Sequence, residues 1–320
     1  MLKYKIKTLL LVVLIFIVSC TVTNRDKTPT QFNPYQGTDG LVMTFLQNNP
    51  PNEVYEDSEF HLAVKLENKG ADNIKEGYLS LATEKDYIES SDWQFNKYGQ
   101  SENLITFALE GKSKQRQKGE FGIASVNLKS KNLESQSETH TVLNAVTACY
   151  KYQTTFSDSV CIDSDIYNIN PSQKACKVTD LSASSQGAPI AITKVEVKML
   201  VQDNQVRPQF LIYIDNRGKG LVVEDENVKK LCSSEDSIVD IKSLLNIVKV
   251  EKAMLSNTVE LKCEGQDNQP KIRLTGKNDF IRCEVEDSIP SGNYNTPLNI
   301  VLSYGYTETI SKETIIRKIP

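Results

Sequence analysis

The strongest constraint on this 320-residue chain is that it repeats one strand-and-turn design. Leu62 to Gly70 reads LAVKLENKG, and Phe210 to Gly218 reads FLIYIDNRG. Each alternates apolar and other residues, the period of a half-buried strand. Each ends in acid-Asn-base-Gly, which is turn chemistry: Asn tolerates a left-handed backbone and Gly takes positive φ without strain. Two further landmarks recur in the same order. Gln36-Gly37 leads into Leu41 to Phe45, as Gln186-Gly187 leads into Ile190 to Val195. Ala148-Cys149-Tyr150-Lys151-Tyr152 matches Leu302-Ser303-Tyr304-Gly305-Tyr306. Three landmarks at similar spacing indicate an internal duplication.

Most segments between the landmarks read as short strands. Candidates in the first copy are Tyr78 to Ala82, Leu104 to Leu109, Phe121 to Leu128 and His140 to Thr155, with Val142, Val146, Ala148, Tyr150 and Tyr152 on one face. Candidates in the second are Ile192 to Leu200, Ile247 to Leu255, Val259 to Cys263, Lys271 to Leu274, Phe280 to Val285 and Leu298 to Tyr306. The polar stretches Ser157-Asp158-Ser159 and Ile310-Ser311-Lys312-Glu313 read as turns that fold each Tyr-x-Tyr strand back on itself. One helix is expected, capped by Ser234-Glu235-Asp236, with Ile238, Ile241, Leu244, Leu245 and Val248 at helical spacing. The expected fold class is all-β: two tandem immunoglobulin-like β-sandwiches, residues 36–168 and 186–320, with a linker at 169–185.

Alternating strands ending in Asn-x-Gly, in tandem, resemble the CARDB-type immunoglobulin-like domains of surface proteins. The resemblance covers about residues 36–165 and 186–320. It implies a sandwich fold and a part in adhesion or envelope architecture.

The first twenty residues carry a different message. Lys3, Lys5 and Lys7 precede an apolar run from Leu9 to Val18, then Ser19 and Cys20. A basic region, a short apolar run and a small residue before the cleavage position make an export signal. Ile17-Val18-Ser19-Cys20 is similar to a lipobox, which makes Cys20 the candidate lipidation site. The run is short of the ~20 apolar residues that span a bilayer, and the alternative is an uncleaved N-terminal anchor. Both place the rest of the chain outside the membrane, attached by its N-terminus. Residues 21–35 are polar and read as a flexible tether with a span of roughly 20 Å.

The whole chain carries 37 Lys+Arg against 41 Asp+Glu, three of the lysines in the signal segment. No basic excess exists to track phosphates, so nucleic acid is not an expected partner. Of 7 cysteines, Cys20 is assigned to lipid; Cys149, Cys161, Cys176, Cys232, Cys263 and Cys283 remain as disulfide candidates, as an exported chain favours. They fall three to each half, so local pairing leaves one over in each. A Cys161–Cys176 bond would pin the linker to the first domain. Cys149 and Cys161 are not partners if they flank a hairpin.

Chemistry-bearing residues are sparse. His61 and His140 have no second ligand at metal spacing, no G-x-S-x-G occurs, and no catalytic residue, cofactor or metal is assigned. Asp163-x-Asp165 and Glu224-Asp225-Glu226 offer oxygens to Ca²⁺, but lack the Gly and distal Glu of a complete loop. Lys112, Lys114, Arg116 and Lys118 read as a loop tip. Trp93, with Tyr87, Phe95 and Tyr98, is the binding-surface candidate if exposed and a core plug if buried. Tyr150, Tyr152, Tyr304 and Tyr306 read as core. The expected role is a binding, adhesion or structural module of the cell envelope, with an envelope or surface protein or a glycan as partner and strand pairing at a sheet edge as the mode. The alternatives are an accessory or substrate-capture subunit of an envelope enzyme, or a surface-lattice component.

Overall fold

A computed structural model describes residues 32–95, 100–101, 104–169, 171, 174–202, 205–233, 241–265 and 269–319. It is mostly β, 60 % strand against 5 % helix. A single compact unit begins at Asn33. The N-terminal half holds β1 (Leu41–Phe45), β2 (Glu53–Tyr55), β3 (Glu59–Asn68), β4 (Ile74–Ala82), β5 (Ile88–Ser90), β6 (Gln94–Phe95), β7 (Gln100–Ser101), β8 (Leu104–Leu109), β9 (Phe121–Ser130) and β10 (Thr139–Asp163). The C-terminal half holds β11 (Leu181–Ser182), β12 (Ile190–Gln202), β13 (Gln205–Asn216), β14 (Leu221–Val223), β15 (Ile247–Leu255), β16 (Val259–Glu264), β17 (Lys271–Arg273), β18 (Asn278–Val285), β19 (Ile289–Pro290) and β20 (Asn293–Arg317). One sheet runs β1-β3-β9-β5, with β6 beside β9. The other runs β11-β12-β13-β18-β16-β15-β20-β10-β4-β8-β7, with β2, β14, β17 and β19 on its flanks.

The centre of the fold is the antiparallel pairing of β10 with β20. It extends from Thr139 opposite Arg317 to Asp163 opposite Asn293, with 25 residues in each strand. The sequence reading placed turns at Ser157–Ser159 and Ile310–Glu313; both stretches instead continue their strands. Alternation explains this. Phe156, Val160 and Ile162 are buried while Ser157 and Ser159 face solvent, so the polar residues mark an outer face and not a bend.

The register sets Tyr150 opposite Tyr306 and Tyr152 opposite Tyr304. All four side chains are buried. Their rings meet at centroid distances of 5.7 Å (150–152), 5.9 Å (150–306), 6.3 Å (152–304) and 6.4 Å (304–306), the tilted and edge-on geometry aromatic quadrupoles prefer. Burial raises every one of these hydroxyls well above the ordinary phenol range, so they stay protonated.

The hydroxyls tie the three repeated landmarks together, and they do so twice. Tyr152 donates to Asn68 Oδ1 at 3.2 Å, and Gly70 N–H donates to the same oxygen at 3.1 Å. Tyr306 donates to Asn216 Oδ1 at 3.1 Å, and Gly218 N–H does likewise at 3.1 Å. Tyr150 accepts from Leu41 N–H at the start of β1 (3.1 Å), and Tyr304 from Ile190 N–H at the start of β12 (3.4 Å). Lys69 N–H reaches Gly40 O, as Arg217 N–H reaches Pro189 O, each at 2.8 Å. Gly37 and Gly187 meet directly, Gly187 N–H donating to Gly37 O at 3.0 Å.

These bonds revise the reason for glycine in Asn-x-Gly. Positive φ among the described glycines belongs to Gly37, Gly187 and Gly276. Gly70 and Gly218 are required by proximity: a Cβ would stand 1.8 Å from the Tyr152 hydroxyl at one and 2.2 Å from the Tyr306 hydroxyl at the other.

One hydrophobic core runs through both halves, from Leu41, Leu62 and Val126 to Phe210, Ile281 and Leu302. A smaller cluster lies on the other side of the ribbon, where Val223, Val228 and Cys232 of the second half meet Tyr78, Leu104 and Cys149 of the first. The short helix Val228–Cys232 covers that side, and Gly305 admits it: a Cβ there would stand 2.4 Å from Val228. Of the expected helix, Ser234, Glu235, Asp236 and Ile238 lie outside the described residues. Ile241–Leu244 is helical, but Val248 belongs to β15, where Val248 is buried against the core as a strand residue.

All six candidate cysteines pair. Cys161–Cys176 and Cys263–Cys283 are local, at Cα separations of 5.8 and 4.0 Å. Cys149 and Cys232, the one left over in each half, bond to each other at 5.8 Å.

Two outcomes are expected. Gly218→Ala lowers stability by about 2–3 kcal/mol through overpacking, and Tyr306→Phe in the same chain restores part of the loss by removing the oxygen the methyl strikes; urea unfolding of the four cycle members measures it, and strict additivity would contradict the contact. Replacing Cys149 and Cys232 together by Ser removes a link across 83 residues and costs about 4.5 kcal/mol on the loop-closure account. An unchanged unfolding midpoint would refute it.

Candidate functional site

The end of the ribbon at Asp163 carries a hydrogen-bonded loop, Ser164–Ile169, with an exposed apolar tip. Beyond β10, Ser164 N–H donates to Gly292 O at 3.0 Å, and Gly292 N–H returns to Ser164 Oγ at 3.0 Å. Asp163 Oδ1 accepts from Asp165 N–H at 2.8 Å. Asp165 then organises the turn: its Oδ1 accepts from Ile169 N–H at 2.8 Å and its carbonyl from Asn168 N–H at 3.1 Å. Asn168 adopts φ 59°, a left-handed conformation Asn tolerates. Lys174 Nζ donates to Asp163 Oδ2 at 2.8 Å and Asp165 O at 2.5 Å, and lies 3.8 Å from Asp165 Oδ2.

The return of the chain is fixed as firmly. Cys176 is bonded to Cys161, its N–H donates to Asn293 Oδ1 at 2.8 Å, and its carbonyl accepts from Asn293 Nδ2 at 3.1 Å. On this frame Tyr167 is 81 % exposed, Ile169 76 % and Ile166 44 %. Ordinary aqueous folding buries such side chains, each worth about 1.5–3 kcal/mol of transfer. Tyr294, opposite Ile162, is also exposed.

The expected Cys161–Cys176 bond is present. The Asp163-x-Asp165 pair holds an ammonium instead of a metal ion: Asp163 is 4 % exposed and paired with Lys174, which occupies the place between the carboxylates that Ca²⁺ would need. Among the described residues no group of three or more His, Cys, Asp or Glu converges on one point. Ile166, Tyr167 and Ile169 were missed. Their signal was an apolar cluster between Asp165 and Asn170-Pro171 that fits neither strand nor helix period.

The other candidates resolve into structure. Trp93 is buried in the main core, not displayed. His61 is exposed and shares a 2.7 Å hydrogen bond with Asn127. His140 stacks on Tyr87 at 3.7 Å and meets Glu84 at 2.9 Å; that hydrogen bond holds the Glu84 carboxyl below its usual range. Glu224 pairs with Lys271 at 2.6 Å, and Asp225–Asn227 form a 3-10 turn. Lys112 Nζ donates to Gln36 O at 3.0 Å, and Arg116 pairs with Glu110. At the landmark junction, burial pushes the carboxyls of Asp72 and Glu308 up. Cys20 lies outside the described residues, among which no helix is long and apolar enough to cross a membrane.

Replacing Cys161 and Cys176 together by Ser is expected to free residues 164–169 for proteolysis, while the circular dichroism of the sheets stays unchanged. Cleavage mapped by mass spectrometry checks this; an equally resistant loop would show that Asp165 and Lys174 suffice to hold it. No family model matches the chain, and no curated protein matches it at a significant level.

Proposed function

We propose that this chain is an extracytoplasmic protein held to a membrane by a lipidated Cys20, acting as a binding, adhesion or structural module of the cell envelope. The observation that carries the reading is the partition of the cysteines. The six that follow Cys20 form three bonds, which favours an oxidising compartment. The seventh ends a basic-then-apolar segment of export type. Acylation of one cysteine with two or more chains gives stable anchoring, whereas a single chain does not.

The finer architecture belongs to the same proposal. Each half has its own Asn-x-Gly turn, first strand and Tyr-x-Tyr strand joined in the same way, which supports two immunoglobulin-like sandwiches of the CARDB type, fused along β10 and β20. Tyrosine hydroxyls, buried asparagines and disulfides here all serve packing, which favours a presenting role over catalysis. The partner is an envelope or surface protein or a glycan.

Metabolic labelling with a fatty-acid analogue tests the anchor. The wild-type chain is expected to take up label and Cys20→Ala to take up none. A wild-type chain that stays unlabelled and keeps residues 1–19 would replace lipidation by an uncleaved anchor.

A further inference from the structure

We propose that the loop Ser164–Ile169 is a second membrane contact, inserting Ile166, Tyr167 and Ile169 into the interfacial layer of a lipid bilayer. This rests on the reading of the protein as membrane-anchored, and it names the surface that the loop meets.

Size decides against a protein as the occupant. Three side chains on one short loop cover a small part of the ~800 Å² that each partner contributes to a stable protein interface. A bilayer asks for no complementary surface. Once a chain is tethered, a few apolar groups are enough to hold a contact, because the anchor has already confined it. Chemistry agrees: a tyrosine ring between two isoleucines offers an apolar body with a polar end, the composition that settles at the level of lipid headgroups.

Reach permits it. From Cys20 to Asn33 about 13 residues span at most ~45 Å when extended. The ribbon from Tyr150, which receives Leu41 N–H at the start of the folded unit, to Asp163 is about 43 Å long at a strand rise of ~3.3 Å per residue. A bilayer holding Cys20 is therefore within range of the loop.

Preorganisation supplies the rest. The Cys161–Cys176 bond, the Asp165 turn and the Lys174 ion pairs hold the tip open before contact, so little ordering entropy is lost on insertion. Lys174 offsets one of the two charges of Asp163 and Asp165, so the group has no basic excess to select anionic lipid.

The test uses the full chain on phosphatidylcholine vesicles, with and without brominated acyl chains, as Tyr167→Trp and, separately, Leu143→Trp. Leu143 is 48 % exposed on the same strand, toward its other end, and is the control; buried Trp93 is common to both. In the Tyr167→Trp chain more than half of the added indole emission is expected to be lost to brominated lipid, with a blue shift, and the Leu143→Trp chain is expected to behave as wild type. Replacing part of the lipid by an anionic one should change neither. A chain that sediments with vesicles while the Tyr167→Trp indole stays unquenched overturns the insertion and leaves the anchor standing. Equal quenching at both positions overturns it too, because the loop would then have no special contact. A chain that fails to sediment removes both readings.

Discussion

Everything in this molecule depends on one ladder, the pairing of β10 with β20. It joins the two halves through residues that lie far apart in the chain, and it brings four tyrosines into mutual contact at its middle. A phenol in a core is tolerated only when its hydroxyl is satisfied. Here each hydroxyl meets the beginning of a first strand or the asparagine of a turn. The ladder therefore positions the tyrosines, the tyrosines position the turns, and the turns fix where each sheet begins. The same logic excludes a side chain at Gly70 and Gly218.

Much of this was legible in the sequence, for physical reasons. Alternation identified β3 and the buried face of β10, because a half-buried strand cannot hide its period. The duplicated Gln-Gly, Asn-x-Gly and Tyr-x-Tyr landmarks were visible because each is held by the others. Three cysteines per half showed that local pairing leaves one over on each side, but the sequence did not choose the pairing, and Cys149–Cys232 came from the fold. What stayed hidden was non-local. No local signal tells that two Tyr-x-Tyr strands pair with each other and not with their own continuations, so Ser157–Ser159 and Ile310–Glu313 read as turns. Asp163-x-Asp165 read as a weak cation motif because Lys174, which pairs with it, is brought there by a fold and a disulfide. Trp93 left its exposure open until the core around it was in view.

The candidate site shows a complementary economy. A pair of acidic residues, a lysine and a disulfide, features that elsewhere bind ions or staple domains, are used to keep three apolar side chains in water. Exposing such side chains to water forgoes their transfer free energy, which is why the loop, and not the buried Trp93, bears the functional reading.

The ribbon has a consequence for how the chain is made. Thr154 and Tyr304 are hydrogen-bonded yet stand 150 residues apart in sequence. When β10 leaves the ribosome, the strand that completes its sheet has not been synthesised. The first half then carries an unpaired edge, the template for unwanted strand addition, until β20 has arrived. Closing so distant a contact is also slow. The first half is thus exposed while the second is being made, and β20 is the strand that ends that exposure.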